Sequence, residues 1–204
     1  EHFTDDSEVW TDIPKELRPT LKSELFPNLL TLVRTITADN GNTRKDLWRL
    51  HDGTLVESVL MKYPDRATVC ISSQAGCGMD CPFCATGQQG LTRNLTAGEI
   101  TAQVVAAAKS CAAGELPGGE VRLSNIVFMG MGEPFHNYDN VIKAIDTLNH
   151  ADGFRFGARR FTISTSGLVP RIRQFADEDR QVNLAISLHS TDDAKRSKMM
   201  PVNR

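Results

Sequence analysis

Three cysteines in one short segment carry the clearest chemical signal in this sequence. Cys77, Cys81 and Cys84 have the spacing C-x3-C-x2-C, and they follow the apolar run Ala67-Thr-Val-Cys-Ile-Ser72. Three thiolates on such a short loop can hold three irons of a [4Fe-4S] cluster and leave the fourth iron open to a small molecule. The same segment could instead bind zinc, with Cys70 or a histidine as fourth ligand, or contain ordinary buried cysteines.

The composition restricts the class of protein. The chain has 204 residues, of which 40% are hydrophobic and 24% charged, as expected for a globular protein with one sizeable domain and an extension. Its five cysteines do not resemble a secreted disulfide framework, and no apolar run approaches the ~20 residues of a membrane span. We therefore expect a cytoplasmic protein with no membrane contact. The net charge of −2 gives no overall nucleic-acid signal.

The N-terminal part of the chain is predicted to be helical. Leu21, Leu25 and Leu29 recur every four residues, as on one face of a helix. Pro27 interrupts this pattern, because proline cannot donate the helical hydrogen bond. We expect residues 1–40 to form a small helical accessory segment.

A β-hairpin is predicted next, within an extension over residues 41–66. Two extended runs at 44–50 and 54–63 flank the turn sequence His51-Asp-Gly53. An Asp-Gly pair between two such runs is a strong signal for a tight hairpin.

From residue 67 onward, the pattern alternates between strands and helices. Apolar runs at 67–72, 125–129, 161–164 and 182–188 predict strands, and helical patterns follow each of them. Thr96 with Glu99 three residues later is typical of a capping box at the start of the first long helix. Four such units predict an α/β fold with a parallel sheet, whose chemistry should lie on loops at the carboxyl ends of the strands.

One of these loops has the sequence Gly130-Met-Gly-Glu-Pro134. Two glycines allow the backbone to approach a ligand closely, and Glu133 could accept a hydrogen bond from an ammonium group. Taken alone, the segment could equally be a tight turn.

Several motifs together resemble those of the radical S-adenosylmethionine enzymes that methylate adenine in RNA. The motifs are Gln74-Ala-Gly-Cys77, Cys81-Pro-Phe-Cys84-Ala-Thr-Gly-Gln-Gln-Gly90, Arg93-Asn-Leu95, Phe128-Met-Gly-Met-Gly-Glu-Pro134, Thr162-Ile-Ser-Thr-Ser-Gly167 and Leu184-Ala-Ile-Ser-Leu-His189. The closest resemblance is to the RlmN-type family, which methylates carbon 2 of an adenine in 23S ribosomal RNA and in transfer RNA. It implies a partial (βα)6-type radical-SAM barrel over residues 67–204, with about four βα units present and its C-terminal part missing.

The resemblance also implies a role for each matching residue. Cys77, Cys81 and Cys84 would hold a [4Fe-4S] cluster. The residues that would bind S-adenosyl-L-methionine are Gly132, Glu133, Ser164, Ser187, Leu188 and His189. Glu57 would be the general base. Cys70 would be the thiol that resolves a covalent protein–RNA intermediate, through a disulfide with a methyl-carrying cysteine.

Simpler interpretations remain open for several of these residues. Glu57 could be solvated on an exposed hairpin face, Cys70 could be part of the core, and His189 could be a hydrogen-bonded structural histidine. Cys111 matches no functional position, and we expect it to serve packing or to lie on the surface. Two other functions also stay open: the carbon-8 adenine methyltransferases of the same superfamily share these motifs, and a zinc-stabilised RNA-binding module would lack catalysis.

The implied partners are 23S ribosomal RNA, transfer RNA and an electron donor such as a flavodoxin-type reductant, and we expect a monomer. The cysteine that carries the methyl group would lie beyond Arg204. Because the sequence also opens without methionine, we interpret it as an internal part of a longer protein. We expect these 204 residues alone to be inactive.

Overall fold

The computed structural model describes residues 7–25 and 28–203. Its strands are β1 (Thr31–Ala38), β2 (Thr43–Arg49), β3 (Leu55–Tyr63), β4 (Arg66–Cys70), β5 (Gln74–Gly76), β6 (Leu91–Asn94), β7 (Leu123–Phe128), β8 (Phe161–Thr165) and β9 (Asn183–Ile186). Its α-helices are α1 (Arg18–Leu25), α2 (Ala85–Gln88), α3 (Ala97–Ala112), α4 (Tyr138–Asn149), α5 (Val169–Asp177) and α6 (Asp193–Met199). Short 3-10 turns lie at Ser7–Val9, Asp39–Gly41, Pro134–Asn137, Ala158–Arg160 and Pro201–Asn203.

A seven-stranded sheet with the order β1-β2-β3-β4-β7-β8-β9 organises the described chain. Strands β1 to β4 pair antiparallel, whereas β4, β7, β8 and β9 pair parallel. Strands β7, β8 and β9 each lead into a helix, and β4 leads into α2 and α3, with the short strands β5 before α2 and β6 before α3. This pattern confirms the α/β class and the four predicted βα units. The hairpin is also confirmed, as β2 and β3. A separate two-stranded sheet, β5 with β6, encloses the cysteine segment.

The helical prediction for residues 1–40 is partly wrong. Helix α1 ends at Leu25, so Leu29 follows the helix instead of continuing its face, and Thr31–Ala38 forms strand β1. The segment Thr-Leu-Val-Arg-Thr-Ile-Thr-Ala is rich in β-branched residues, which favour extended backbone. Pairing with β2 then decides its conformation. Pro27 lies outside the described residues, as do residues 1–6 and 204.

One side of the main sheet, called here the core face, is covered by helices. Its side chains include Val56, Leu60, Val69, Ile126 and Ile163, each at most 3% exposed. They belong to one apolar cluster with the buried side chains of α3 and α4. Because successive residues of a strand point to opposite sides, alternate positions fill this core.

The other side of the sheet, called here the open face, carries Glu57, Val59, Cys70, Val127 and Ser164. Cross-strand pairing places Val59 beside Cys70 and Cys70 beside Val127. All five residues are partly exposed. The predicted general base, the predicted resolving thiol and one predicted cofactor-binding serine thus share this face.

The predicted capping box at the start of α3 is present. The Thr96 hydroxyl accepts a hydrogen bond from the Glu99 amide at 3.2 Å, and the Glu99 carboxylate accepts one from the Thr96 amide at 2.8 Å. Arg93 then binds the same carboxylate at 2.8 and 2.9 Å and also pairs with Asp52 of the hairpin turn at 2.6 Å. This network anchors the hairpin to the helical layer. Among the described helices, none has the length and apolar character needed to cross a bilayer.

Candidate active site

The cysteine loop is closed at its base by the β5–β6 pair. The Cys77 amide donates to the Gly90 carbonyl at 2.9 Å. Gly76 has φ +76°, and a Cβ at this position would lie only 2.0 Å from the Gly90 oxygen. Only glycine therefore allows the two ends of the loop to approach so closely. Helix α2 begins directly after Cys84, so the three cysteines lie between a hairpin and a helix.

The three thiols share one small enclosure. Cys77 and Cys81 are each 8% exposed and pack with Met79 and the buried Met200, and the partly buried Cys84 contacts the same cluster. Burial raises the pKa of both Cys77 and Cys81, and the charges of Cys84 and Glu133 raise each of them further. The three cysteine side chains thus belong to one partly buried cluster.

This donor set fits an iron–sulfur cluster by its chemistry. Thiolates are the usual ligands of such clusters, and cluster irons offset negative charge that burial would otherwise disfavour. Among the described residues, no three His, Cys, Asp or Glu side chains are already arranged around a single-ion position. All five cysteines are free thiols. Cys111 is 1% exposed on α3 and serves packing.

The glycine turn after β7 lies against the segment that leads into the cysteine loop. Gly132 has φ +100°, and a Cβ there would lie 2.5 Å from the Gln74 Cβ. A Cβ on Gly130 would lie 2.7 Å from the Ile71 carbonyl oxygen. Both glycines are therefore needed for close packing of two backbone segments. For Gly132, the structure supplies a packing reason in addition to the predicted contact with a ligand.

Glu133 is 3% exposed, and protein groups already bind its carboxylate. One oxygen accepts from the Phe135 amide at 3.0 Å and the Thr165 hydroxyl at 2.7 Å, and the other accepts from the Ser166 amide at 2.8 Å. A carboxylate has about four acceptor positions, so about one remains for a ligand. The charge of Glu133 also raises the pKa of Cys77 and Cys81 in the cysteine loop, after the larger effect of burial.

The predicted cofactor-binding residues of β8 and β9 meet at the same end of the sheet. The hydroxyl oxygens of Ser164 and Ser187 lie 3.4 Å apart. Leu188 is half exposed, and His189 adopts φ +58°. The His189 ring packs against Phe83 of the cysteine loop, with ring centres 4.8 Å apart. The structure thus brings the ends of both strands to the predicted cluster ligands.

Glu57 and Cys70 lie on the open face. Glu57 forms an ion pair with Lys45 at 3.0 Å on the hairpin, where its side chain is 40% exposed. Burial raises the pKa of the Cys70 thiol to about 11, and a hydrogen bond with the Met129 backbone has a smaller, opposite effect on this pKa. Cys70 is only partly buried, in contrast to Cys111.

Sequence reasoning missed the buried side-chain amides that hold the segment of residues 72–74 in place. Gln103 exchanges hydrogen bonds with the Ser72 backbone, both at 2.9 Å. Asn137 donates to the Ser73 carbonyl at 2.8 Å, and the Gln74 side chain accepts from the Glu133 amide at 2.8 Å. The only available signal was a polar residue, Gln103, on the apolar face of a predicted helix.

The hydroxyl of Ser72 in this segment also connects the strand of the predicted general base, Glu57, with the glycine turn that is predicted to bind the cofactor. Ser72 Oγ donates to the Glu57 carbonyl at 2.6 Å and accepts from the Met131 amide at 2.9 Å. The hairpin strand of Glu57 and the glycine turn of Gly132 are thus joined through one side chain.

Comparison with known proteins gives the family. The radical SAM superfamily matches residues 71–204. The probable dual-specificity RNA methyltransferase RlmN of Nocardioides sp. is 58% identical over 203 residues, which are 98% of this chain and 54% of that protein. Its counterpart from Streptomyces griseus is 55% identical, over 98% of this chain and 55% of that protein. The chain therefore spans about half the length of the curated relatives that it matches.

A solved structure agrees with the sequence comparisons. The crystal structure of a radical SAM methyltransferase from Sphaerobacter thermophilus superimposes with a TM-score of 0.90 at 51% identity, covering 98% of this chain and 57% of that one. The predicted partial barrel is thereby confirmed. Since the superfamily match includes all three clustered cysteines and most of the described chain, this chain belongs to the radical SAM superfamily.

Proposed function

We propose that the full-length protein is a radical S-adenosylmethionine methyltransferase that methylates carbon 2 of an adenine in 23S ribosomal RNA and in transfer RNA. The observation that carries the proposal is that the predicted cluster ligands and the predicted cofactor-binding residues lie close together. The cysteine loop, Glu133 and the Ser164–Ser187 pair meet at one end of the parallel sheet, and Glu57 and Cys70 lie on the open face beside them. The names of the relatives support RNA as the substrate.

Each residue in this arrangement has a proposed task. Cys77, Cys81 and Cys84 would hold the [4Fe-4S] cluster, which together with S-adenosylmethionine supplies radical chemistry that side chains cannot provide. The remaining acceptor position of Glu133 would bind the ammonium group of S-adenosylmethionine, beside Gly132. The paired hydroxyls of Ser164 in β8 and Ser187 after β9, with the backbone of residues 187–189, would orient the rest of the cofactor.

Two residues of the open face would act on the RNA. Glu57 would remove the proton from carbon 2 of the adenine. At that stage a cysteine in the rest of the full-length protein would be joined to carbon 2 through its methyl carbon, the radical chemistry having removed one hydrogen atom and one electron. Cys70, as a thiolate, would attack the sulfur of that cysteine. A disulfide would form, the sulfur–carbon bond to the RNA would break, and the released carbon would take the electron pair and a proton. With a pKa of about 11, Cys70 is mostly protonated at neutral pH, so this step requires a base.

The proposal is tested by locating the transferred methyl group. The full-length protein, reconstituted anaerobically, is incubated with a reductant such as dithionite, an rRNA fragment, a transfer RNA and S-adenosylmethionine that carries a deuterated methyl group. We expect about four irons per chain and labelled 2-methyladenosine by mass spectrometry. A Glu57→Gln variant should keep its iron and lose the product.

Other outcomes would contradict the proposal in distinct ways. Labelled 8-methyladenosine would identify the carbon-8 enzyme. A colourless protein with one zinc per chain and no methylated base would identify the RNA-binding module. A flavodoxin-type electron donor, a monomeric state and a cytoplasmic location remain predictions.

A further inference from the structure

Arg196 of α6 connects three separate segments near the candidate site. Its Nε donates to the Leu188 carbonyl at 3.1 Å, and its Nη2 donates to the Ser166 carbonyl at 2.6 Å. Its Nη1 donates to the side-chain oxygen of Asn203. Ser166 follows β8 and Leu188 follows β9, so one guanidinium joins the ends of two neighbouring parallel strands.

Local sequence directs Arg196 to this position. Asp192 caps α6 by accepting from the Lys195 amide at 2.8 Å, and its carbonyl accepts from the Arg196 amide at 2.8 Å. Gly167, with φ +115°, leaves room for the guanidinium, because a Cβ there would lie 3.2 Å from the Arg196 Nη2. The planar fork of arginine can reach several acceptors at once, which the single ammonium of lysine cannot reproduce.

The residue directly after this helix, Met200, contacts the cysteine loop. The Met200 amide donates to the Arg196 carbonyl at 2.7 Å, and the Met200 side chain, 1% exposed, packs against Cys77, Met79 and Cys81. A shift of α6 would therefore be transmitted to the cysteine loop and to both strand ends.

Among the described residues, the acceptors of Arg196 are three neutral oxygens. These contacts therefore depend on the geometry of the guanidinium and not on a partner of opposite charge.

We propose that Arg196 is a positioning residue for the S-adenosylmethionine site: it holds the ends of β8 and β9 together so that Ser164, Ser187 and His189 face the cofactor. This inference rests on the proposed function. Arg196 itself would not contact the substrate. It would act only by holding the carbonyls of Ser166 and Leu188.

The test uses the full-length, cluster-loaded protein and three variants. Arg196→Lys keeps the charge but loses the fork, Arg196→Gln loses both, and Lys195→Gln is the control because Lys195 is exposed on the same helix. Binding of S-adenosylmethionine to the oxidised protein is measured by calorimetry, alongside iron content and thermal unfolding. We expect both Arg196 variants to bind at least about tenfold more weakly, with wild-type iron content, and Lys195→Gln to bind normally.

Each alternative result is decisive. Normal affinity in Arg196→Lys with a lowered unfolding temperature would assign Arg196 to stability alone and overturn the inference. Loss of the cluster in Arg196→Lys would assign it to folding and also overturn it. A wild-type protein that binds S-adenosylmethionine without methylating carbon 2 would contradict the proposed function but leave the inference intact. A wild-type protein without this affinity would overturn both.

Discussion

Neighbouring residues of β4, β7 and β8 differ sharply in their surroundings. Val69, Ile126 and Ile163 on the core face are fully buried, whereas the residues directly after them on the open face stay partly exposed. The core face is apolar because α3 and α4 cover it. The open face carries a carboxylate, a thiol and a hydroxyl, which remain partly hydrated and so avoid the full cost of burial.

Because side chains along a strand point alternately to the two faces, one strand can supply packing residues to the core face and proposed site residues to the open face. Truncating a core-face side chain leaves a cavity, which reduces the free energy of unfolding. Truncating its open-face neighbour should remove a group that we propose to be reactive or cofactor-binding, and should leave the packing nearly unchanged. Variants at adjacent positions should therefore differ in which measurement they affect.

The largest expected difference separates two buried cysteines. Cys81 and Cys111 are 8% and 1% exposed, but only Cys81 lies in the cysteine loop, whereas Cys111 packs on the core side in α3. In the full-length protein, Cys81→Ala should abolish the iron–sulfur absorbance and 5′-deoxyadenosine production. Cys111→Ala should keep both, with a modest loss of stability. A cluster retained in full by Cys81→Ala would refute the ligand assignment.

The next difference separates Val69 from Cys70. Val69→Ala should lower the free energy of unfolding by about 2 kcal/mol and reduce turnover only in step with folding. Cys70→Ala should stay folded, bind cofactor and attack the RNA, but then stall, because no thiolate releases the product. A covalent protein–RNA adduct should accumulate and survive denaturing electrophoresis.

A Cys70→Ala enzyme that completes methylation without an adduct would exclude the resolving role. An adduct in Val69→Ala as well would show that the two faces do not separate function from stability.

The smallest expected difference lies within β8. Ile163→Ala should lower the free energy of unfolding by about 3 kcal/mol, and the affinity of its folded fraction for S-adenosylmethionine should remain normal. Ser164→Ala should unfold like the wild type and bind the cofactor about threefold to tenfold more weakly, since one hydrogen bond contributes about 1 kcal/mol. Denaturant unfolding and calorimetry on the same preparations check both. Equal affinities in the two variants would remove Ser164 from the site.

Features that depend on neighbouring residues were readable in the sequence. The capping box of Thr96 and Glu99, the hairpin turn at His51-Asp-Gly53 and the alternation of strands and helices all involve groups a few positions apart, whose geometry is set by local backbone preferences. The spacing of Cys77, Cys81 and Cys84 belongs to the same class, and so do the motifs that carry the family resemblance. Together they determined the α/β class, the superfamily and the predicted cluster ligands.

Features that depend on distant pairing were decided only by the tertiary structure. Strand β1 follows the leucine periodicity of Leu21, Leu25 and Leu29 and was predicted as part of the same helical segment, but its conformation follows from pairing with β2. The bonds from Gln103 to Ser72 and from Arg196 to Ser166 join residues 31 and 30 positions apart. No local preference specifies such contacts, because they exist only once the helices have packed on the sheet. The sequence by itself named the predicted site residues. Packing placed Glu57, Cys70 and Ser164 on one face of the sheet and supplied the amide of Gln103 and the guanidinium of Arg196 that hold the adjoining strand ends.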